Sequence, residues 1–531
     1  MEKIFRVLVA DAISEKGLER LRAAGSFDLE IRLGLSEEEL EAIVGNFDAL
    51  LIRSQTKVTR RVLESSGRLR VIGRAGVGTD NVDVEAATEK GIVVMNTPGG
   101  NTIATAEHAF CLILALARNV ARADAWIRQG RWDRKALEGV ELCNKTLGII
   151  GLGRIGSEVA RRAASFGMRV LGYDPYLSLS RARSMDVELC HNLAELLAEA
   201  DFITLHTPLT EETTGIINRK TLQLCKQGVR IVNCARGGLI VEKDLIEALQ
   251  EGRVAGAALD VFETEPLPPD SPLCQLPQVL LTPHLGASTR EAQESVGIEI
   301  AEAVSDYLLH GTIRNAVNLP SMDRKIATLL QPYLRLAERL GSFMNRWAAP
   351  RLEELRITYS GRINQYDTTP ISRTLLKAVL RKAGGKEVNE VNAPYLARAL
   401  GISVTESKRS EVEEFADLVS VEAYANSKRW QAAATLYGSR PRLVQLNDNA
   451  LEAPLEGILL VLENRDRPGI VGRIGTLLGE HKVNIAAMSL ARPEPGGDAV
   501  SVLNLDHEPP VEVLRTIAEV PDVRAVTLIH L

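Results

Sequence analysis

The stretch that decides the fold is T-L-G-I-I-G-L-G-R-I-G, residues 146–156. Gly151, Gly153 and Gly156 form a G-x-G-x-x-G pattern that follows an apolar run and precedes a segment of helix-compatible composition. The first glycine permits a tight turn, the second lets the backbone approach a pyrophosphate, and the third lets helix and strand pack closely. The helix N-terminus then offers unpaired N–H groups to phosphates. The pattern predicts a dinucleotide-binding βαβ unit.

Asp174 lies 23 residues after Gly151, at the end of the next predicted strand. A carboxylate at this spacing accepts hydrogen bonds from ribose hydroxyls and repels a 2′-phosphate. We therefore expect NAD as the cofactor rather than NADP. The alternative interpretation is a glycine-rich turn followed by an exposed aspartate.

Three polar residues follow further apolar runs, each where the run gives way to a loop. They are Arg236 in I-V-N-C-A-R-G-G, Glu265 in A-L-D-V-F-E-T-E-P and His284 in V-L-L-T-P-H-L-G. Ligands bind at the carboxyl ends of the strands in such sheets, so we expect the three side chains to meet there.

These residue types suit hydride transfer from a 2-hydroxy acid. An imidazole titrates near neutral pH, so His284 is the expected base for the hydroxyl proton. Glu265 would orient the ring, and the Arg236 fork would hold the substrate carboxylate. Each residue alone is also typical of a solvated loop. His206 in L-H-T-P competes with His284 but ranks lower, because Thr207 and Pro208 suggest a loop beside the nicotinamide.

Composition limits the other possibilities. A chain of 531 residues predicts two to four domains, and the net charge of −6 gives no basic excess for nucleic acid. No run approaches the roughly 18 apolar residues of a membrane span, and the N-terminus lacks the features of a signal peptide. Six cysteines without C-x-x-C pairing argue against a zinc site or a disulfide framework and predict a cytoplasmic location.

The pattern of apolar runs predicts an α/β protein of several parts. Strands alternate with helices over residues 4–94, a long helix is predicted at 102–129, and more β/α units run from 147 to 282 before a helix at 289–309. Residues 316–452 form a mixed α+β stretch, and 453–531 follow a βαββαβ order typical of a ferredoxin-like domain. The predicted fold class is two doubly wound parallel-sheet domains followed by these two.

The chain resembles the D-isomer-specific 2-hydroxyacid dehydrogenases. The resemblance rests on motifs within residues 1–315: G-R-A-G-V-G-T-D-N-V-D, N-T-P-G-G-N-T, T-A-E-H-A, G-L-G-R-I-G, H-T-P-L, N-C-A-R-G-G, A-L-D-V-F, E-P-L-P and T-P-H-L-G-A-S-T. It implies catalytic roles for Arg236, Glu265 and His284. It also implies a substrate domain made of 1–97 and 285–315 around an NAD domain at 98–284. Val77 departs from the family, where many members carry threonine.

The resemblance further implies a set of residues around NAD besides the three glycines and Asp174. These are Arg154, Ile155, Thr207, Cys234, Ala235, Asp260, Gly286 and Ala287.

Two arginines suggest that the substrate carries a phosphate. Arg53 and Arg74 each end an apolar run of the first sheet, where guanidinium forks suit a phosphate dianion. Ser54, Gly76 and Asn101 would add neutral donors, and Arg134 would reach the cleft of a partner chain, as the family suggests. The resemblance then implies oxidation of 3-phospho-D-glycerate to 3-phosphooxypyruvate, the first step of L-serine synthesis. A pair of surface salt bridges is the alternative interpretation.

The tail E-N-R-D-R-P-G-I-V-G-R-I-G-T-L-L-G-E-H-K-V-N-I, residues 463–485, resembles an ACT domain, a module that pairs edge to edge and binds amino acids. By that resemblance Asn464, Asp466 and Asn484 would bind an effector, expected to be L-serine. An ordinary turn with a helix cap is the alternative. Residues 316–452 resemble an intervening allosteric domain. The helix with Glu107 and His108 resembles a dimer interface, which implies a homodimer or homotetramer.

Two other functions stay open at this point. One is reduction of glyoxylate, hydroxypyruvate or 2-oxoglutarate in the same pocket, which the cleft arginines disfavour. The other is an NAD(H)-sensing corepressor-like scaffold, which the three reacting groups disfavour.

Overall fold

The computed structural model describes residues 4–320, 324–381, 387–410 and 415–531. These residues form two parallel sheets, one mixed sheet and one antiparallel sheet, in that order along the chain. The predicted fold class is confirmed. Residues 1–3, the start of the predicted 1–97 segment, lie outside the described residues.

The first sheet has five parallel strands in the order β2-β1-β3-β4-β5. Every residue of its central strand is buried, as expected for a sheet covered by helices on both faces. Its strands and helices are β1 (Phe5–Val9), α1 (Glu15–Ala23), β2 (Phe27–Ile31), α2 (Glu37–Ile43), β3 (Ala49–Ile52), α3 (Arg60–Glu64), β4 (Val71–Arg74), α4 (Val84–Glu89) and β5 (Val93–Met95).

The prediction of one long helix at 102–129 is wrong. The structure has α5 (Thr102–Ala117) and α6 (Val120–Arg128), bent by 63°. Asn119 between them adopts the left-handed conformation with φ 52°, which asparagine tolerates better than most residues. Its side-chain amide donates to the Glu138 carbonyl at 3.2 Å, so the next loop fixes the bend. Apolar periodicity is insensitive to one left-handed residue.

Among the described residues, no single helix is long and apolar enough to cross a bilayer. The bent pair α5 and α6 meets that criterion only jointly, by length and composition. Much of α5 is buried against the second sheet, as for a core helix.

The second sheet has seven parallel strands in the order β12-β11-β10-β9-β6-β7-β8. The chain order reverses between β6 and β9, and ligands bind at such a switch point in doubly wound sheets. The elements are β6 (Thr146–Ile150), α7 (Arg154–Ser165), β7 (Arg169–Tyr173), α8 (Leu179–Arg183), β8 (Glu188–Leu189), α9 (Leu193–Glu199), β9 (Phe202–Leu205), α10 (Arg219–Leu224), β10 (Val229–Asn233), α11 (Glu242–Gln250), β11 (Val254–Leu259) and β12 (Val279–Leu281).

Helix α12 (Arg290–His310) returns to the first sheet and packs on α1 and β4. The Thr289 side chain caps its first turn, and Gly311 ends it with φ 68°. A Cβ on Gly17 would lie 2.5 Å from the Gly297 carbonyl oxygen, so glycine allows α1 and α12 to cross closely.

The third part packs helices on a six-stranded mixed sheet of order β14-β13-β15-β16-β17-β18. Among the described strands of this sheet, only β13 and β14 pair in parallel. The elements are α13 (Arg324–Trp347), β13 (Glu354–Gly361), α14 (Thr369–Leu380), α15 (Ala393–Ala399), β14 (Ser403–Arg409), β15 (Asp417–Ala425), β16 (Lys428–Tyr437), β17 (Arg440–Leu446) and β18 (Asn449–Pro454).

The last part has the predicted βαββαβ order and an antiparallel sheet of order β20-β21-β19-β22. Alternate residues of its first strand serve two cores. Leu460 and Leu462 pack on the two helices of this part, while Leu459 and Val461 join the core of the preceding part. The elements are β19 (Ile458–Arg465), α16 (Ile470–Glu480), β20 (Ile485–Ala491), β21 (Asp498–Leu505), α17 (Val511–Ala518) and β22 (Val523–His530).

Candidate active site

The glycine loop joins β6 to α7 at the switch point. Gly151 has φ 92°, and a Cβ there would lie 2.7 Å from the His206 carbonyl oxygen. A Cβ on Gly156 would overlap the Gly151 carbonyl. A Cβ on Gly153, by contrast, would meet no atom within 4 Å. The packing of the chain therefore does not require glycine at position 153, and the space before α7 is open to a ligand.

The loop and its surroundings fit a dinucleotide. Gly153 is the N-cap of α7 and makes no side-chain cap, so the first-turn N–H groups point outward with the positive end of the helix dipole. The Asp174 carboxylate accepts hydrogen bonds from the backbone N–H groups of Leu152 and Tyr176, both at 2.9 Å. These contacts fix a carboxylate beside the loop, where a ribose would lie.

The other residues predicted around NAD lie on neighbouring loops. Thr207 follows β9, and its hydroxyl is buried without a partner in the part of the chain that the structure describes. Cys234 follows β10, and burial raises the pKa of its thiol well above the usual range. The remaining residues, at the start of α7 or on the loops after β10, β11 and β12, are Arg154, Ile155, Ala235, Asp260, Gly286 and Ala287.

His206 is unsuited to carry a positive charge. Its Nε2 lies 3.0 Å from the Thr204 hydroxyl, and its Nδ1 is buried. Burial lowers the pKa of His206 to about 4, so the ring is neutral at pH 7. Protonating an alkoxide would require an imidazolium that this environment disfavours.

His284 has the opposite environment. Its side chain is half exposed, and Nδ1 lies 2.8 Å from Glu265 Oε2. The other Glu265 oxygen accepts the Phe262 N–H at 3.1 Å, so the carboxylate is held at both oxygens. A carboxylate at Nδ1 favours the tautomer with the proton on that nitrogen, and Nε2 is then left to exchange a proton with a substrate.

The backbone around His284 is fixed by Asp260, which is fully buried after β11. The His284 N–H donates to the Asp260 carbonyl at 2.9 Å. The Asp260 carboxylate accepts the N–H groups of Leu285 at 2.7 Å and Gly286 at 2.9 Å, and the Thr282 hydroxyl at 2.6 Å. One carboxylate therefore anchors the whole turn, in which His284 adopts φ 55°.

His108 of α5 completes this network, since its Nε2 lies 3.1 Å from Asp260 Oδ1. Burial alone would raise the pKa of Asp260, but the hydrogen bonds from His108, Thr282 and Leu285 outweigh it, and the pKa lies below its ordinary value. His108, Cys234 and Asp260 offer ligand atoms within 4.8 Å of one another. Four hydrogen-bond donors already occupy that carboxylate, which argues against a bound metal ion there.

Arg236 lies on a tight turn after β10. The Asn233 side chain accepts the Ala235 N–H at 3.0 Å and donates to the Arg236 carbonyl at 2.7 Å. A Cβ on Gly237 would overlap the Phe262 carbonyl, so glycine lets this turn pack on the loop that carries Glu265. The guanidinium reaches across to the first sheet, where its Nε donates to Asp80 at 2.9 Å.

Arg53 and Arg74, at the strand ends of the first sheet, lie together on one side of the cleft. Arg74 is partly buried. Burial, and then the charges of Arg236 and Arg53, lower the pKa of its guanidinium to about 10. Its Nε donates to Asn81 at 3.2 Å, and the Asn81 amide donates to the Arg53 carbonyl at 2.7 Å. The structure thus brings Arg53 and Arg74 together with Arg236.

Sequence reasoning missed the side chains that support these arginines. Asp11 follows β1 and accepts the Arg53 N–H at 2.6 Å, while Asp80 and Asn81 belong to T-D-N-V-D after β4. For Asp11 the available signal was a polar residue close to the end of a buried strand, whereas Asp80 lies six residues beyond β4. His108 was assigned only to a dimer helix, yet it bonds to Asp260 within the chain.

The neutral residues predicted to bind the substrate have fewer contacts with one another than the cleft arginines have. Asn101 precedes α5, and its Oδ1 is buried without a partner among the described residues. Gly76, with φ 155°, packs on the Arg74 guanidinium. Ser54 lies beside Arg53 in the loop after β3, whereas Arg134 lies on an exposed segment after α6 and has no described contact with the cleft arginines.

The three predicted effector residues do not form one site within a chain. Asn464 and Asp466 lie at the end of β19, where the Asp466 carboxylate pairs with Arg492 and accepts the Gly496 N–H at 3.1 Å. Asn484 lies before β20, at the opposite end of the sheet, and donates to Asp506 at 2.7 Å. At about 3.3 Å per strand residue, the two ends are about 20 Å apart.

Family models match three parts of the chain. The NAD binding domain of the D-isomer specific 2-hydroxyacid dehydrogenases matches residues 110–286. The D-3-phosphoglycerate dehydrogenase intervening domain matches residues 329–447, and the ACT domain matches residues 458–522.

Relatives match the chain over nearly its whole length. It is 44% identical to the D-3-phosphoglycerate dehydrogenase of Methanocaldococcus jannaschii and 40% identical to that of Bacillus subtilis, with 99% of this chain and 100% of each relative covered. The D-lactate dehydrogenase of Aquifex aeolicus, solved with NAD and lactic acid, superposes with a TM-score of 0.52 at 30% identity, covering 59% of this chain and 100% of the other. The predicted family resemblance and NAD cofactor are confirmed.

Replacing Asp260 with asparagine is expected to lower the free energy of unfolding by about 2 kcal/mol at pH 7, because the amide cannot accept all four donors. The pKa of Asp260 is lower in the folded chain than its ordinary value of 3.8, so the unfolded chain binds the proton more readily. Its contribution is therefore present above pH 4 and is lost as the pH falls through the folded pKa. Urea unfolding from pH 7 to pH 3 should show the difference from the native chain shrinking.

Asp270→Asn, in an exposed loop, is the control for this series. An Asp260→Asn chain as stable as the native one at pH 7 would contradict the anchoring role.

Proposed function

The chain belongs to the D-3-phosphoglycerate dehydrogenase family, and on that premise we propose that it oxidises 3-phospho-D-glycerate to 3-phosphooxypyruvate with NAD. It is an NAD-dependent dehydrogenase. The proposed reaction is the first step of L-serine biosynthesis. The observation that carries the proposal is the His284–Glu265 pair, which lies on the same sheet edge as the glycine loop and Arg236.

In the proposed reaction His284 Nε2 accepts the proton of the substrate hydroxyl. Glu265 stabilises the imidazolium that results, because its carboxylate already lies 2.8 Å from Nδ1. Bound NAD would supply the hydride acceptor for the carbon that bears this hydroxyl. In the reverse direction the imidazolium returns its proton to the developing alkoxide.

Arg236 is proposed to hold the substrate carboxylate and the adjoining oxygen through its planar fork. Arg53 and Arg74 are proposed to bind the phosphate, with Ser54, Gly76 and Asn101 as neutral partners. The support is their position at strand ends across the cleft from Arg236 and their shared positive field. Arg134 is proposed to complete the cleft of a second copy in a homodimer or homotetramer.

Arg53→Gln and Arg74→Gln test the phosphate assignment. Each is expected to raise KM for 3-phosphoglycerate at least about tenfold, because a charge-assisted hydrogen bond to the phosphate is lost. Any turnover of unphosphorylated D-glycerate should change little. NADH formation at 340 nm is the measurement.

Arg61→Gln, which removes an exposed arginine of α3, is the matched control. Turnover confined to glyoxylate, hydroxypyruvate, 2-oxoglutarate or their hydroxy acids would reject the phosphoglycerate assignment. The absence of turnover with any acid would favour a cofactor-sensing scaffold.

His284→Asn and His206→Asn separate the two imidazoles. Loss of the general base at 284 is expected to lower kcat by about 10²- to 10⁴-fold. His206→Asn should retain most of kcat, because a ring that is neutral at pH 7 and bonded to Thr204 plays a structural part. Stopped-flow single-turnover rates measure the chemical step, and full turnover by His284→Asn would overturn the assignment.

L-Serine is proposed as an effector of the ACT domain, bound by Asn464 and Asp466 of one chain and Asn484 of another. The support is their position at opposite ends of the same sheet, which a second sheet paired antiparallel edge to edge would bring together. The Asp466 carboxylate could pair with the ammonium group. The amides of Asn464 and Asn484 offer hydrogen bonds.

Mixed oligomers test this two-chain site. Asp466→Asn and Asn484→Ala are each expected to abolish serine binding in calorimetry. In a mixed dimer of the two variants, one of the two sites carries both changes and the other carries none, so isolated mixed dimers should regain about half of the native sites.

Asp498→Asn, an exposed carboxylate of the same domain, is the control. Mixed oligomers that bind no serine would contradict a site made by two chains. A native enzyme that neither binds serine nor changes velocity with it would end the effector proposal and leave the catalytic one intact. The cytoplasmic location stays a prediction from the unpaired cysteines.

A further inference from the structure

The guanidinium of Arg236 is held from the side by the loop after β4. Its Nε donates to Asp80 Oδ2 at 2.9 Å, and its Nη1 donates to the Ala235 carbonyl at 2.7 Å. A guanidinium has five N–H groups, so these two bonds leave three, on Nη1 and Nη2. Within the described ranges no further acceptor of these three is found. The Nη edge, which suits a bidentate carboxylate, is therefore the edge left for a ligand.

Gly78 is the second contact between this loop and Arg236. A Cβ on Gly78 would overlap Arg236 Nη2 and would lie 2.7 Å from Asp80 Oδ2. Nη2 of the guanidinium therefore occupies the space where a side chain at position 78 would begin, and the Asp80 carboxylate lies beside it. Any side chain at position 78 would displace both partners of the ion pair.

Asp80 also balances charge in the cleft. The positive charges of Arg236 and Arg53 act on Arg74, while Asp80 and Asp11 oppose them. The Asp80 side chain is 65% exposed and that of Arg236 is 29% exposed, so solvent weakens the ion pair. The pair therefore contributes more to the orientation of the guanidinium than to the stability of the fold.

We propose that Asp80 and Gly78 are positioning residues for Arg236, which orient its Nη edge toward the substrate carboxylate from across the interdomain cleft. The proposal rests on the carboxylate-binding role proposed for Arg236. Because Asp80 follows the first sheet and Arg236 the second, the carboxylate site is complete only when the two sheets hold this relative position.

Asp80→Asn is the main test, since it keeps the shape of the side chain and removes the charge. KM for 3-phosphoglycerate is expected to rise about tenfold, the scale of one charge-assisted hydrogen bond, with a smaller change in kcat. KM for NAD and the fluorescence-monitored affinity for NADH should not change. Asp80→Glu, which restores the carboxylate, should recover part of the loss.

Asp28→Asn is the matched control, because Asp28 is 62% exposed, belongs to the first sheet and pairs with an arginine at 3.7 Å. Gly78→Ala is a second, independent variant, expected to raise KM for the acid by displacing the guanidinium. Circular dichroism and the thermal unfolding midpoint confirm that each variant is folded.

The Arg236→Lys background separates the two proposals. Lysine lacks the guanidinium Nε–H that donates to Asp80, so Asp80→Asn should add little to the defect of Arg236→Lys. An impaired Arg236→Lys combined with a fully active Asp80→Asn would overturn the positioning role alone, as would an equal effect of Asp80→Asn in both backgrounds. An unimpaired Arg236→Lys would instead overturn the carboxylate-binding role itself.

Discussion

The candidate active site depends on one buried charge, the carboxylate of Asp260. Removing an ion from water costs several kcal/mol unless donors surround it, and here the donors are the backbone of the 285–286 turn, the Thr282 hydroxyl and His108. Satisfying the charge therefore fixes the turn, including the left-handed backbone of His284. Hydrogen bonds to the Asp260 carboxylate, rather than apolar packing, fix the backbone at His284. The half-exposed imidazole therefore keeps a defined position.

Glycines bring the loops of neighbouring strands close enough to act together. Gly237 lies against the Phe262 carbonyl, so the turn of Arg236 packs on the backbone that leads to Glu265. Gly151 lies against the loop of His206 in the same way. At these glycines the loops are in direct backbone contact, because no side chain separates them. The glycine positions thus control the spacing of the reacting groups as well as the cofactor loop.

The features that could be predicted from the sequence are those encoded locally. The glycine loop and the polar residues at strand ends were predictable, because strand ends of a parallel sheet meet at one edge. The left-handed Asn119 could not be, since one residue does not alter the apolar period. The pairing of Asp80 with Arg236 joins residues 156 positions apart, and no local pattern encodes it. The same holds for Asn484, whose distance from Asp466 follows from strand order.

The positive charge of the cleft explains how an enzyme with a general hydroxy-acid dehydrogenase mechanism could select a phosphorylated acid. The chain carries a net charge of −6, yet burial, and then the positive charges of Arg236 and Arg53, lower the pKa of Arg74 to about 10. Arg74 still stays charged at pH 7. A phosphorylated acid brings about three negative charges to this field, since a phosphate adds about two to the carboxylate's one. An unphosphorylated acid leaves most of the repulsion uncompensated. In the proposed reaction, discrimination among acids therefore lies with the loops of the first sheet, and proton transfer lies with the loops of the second.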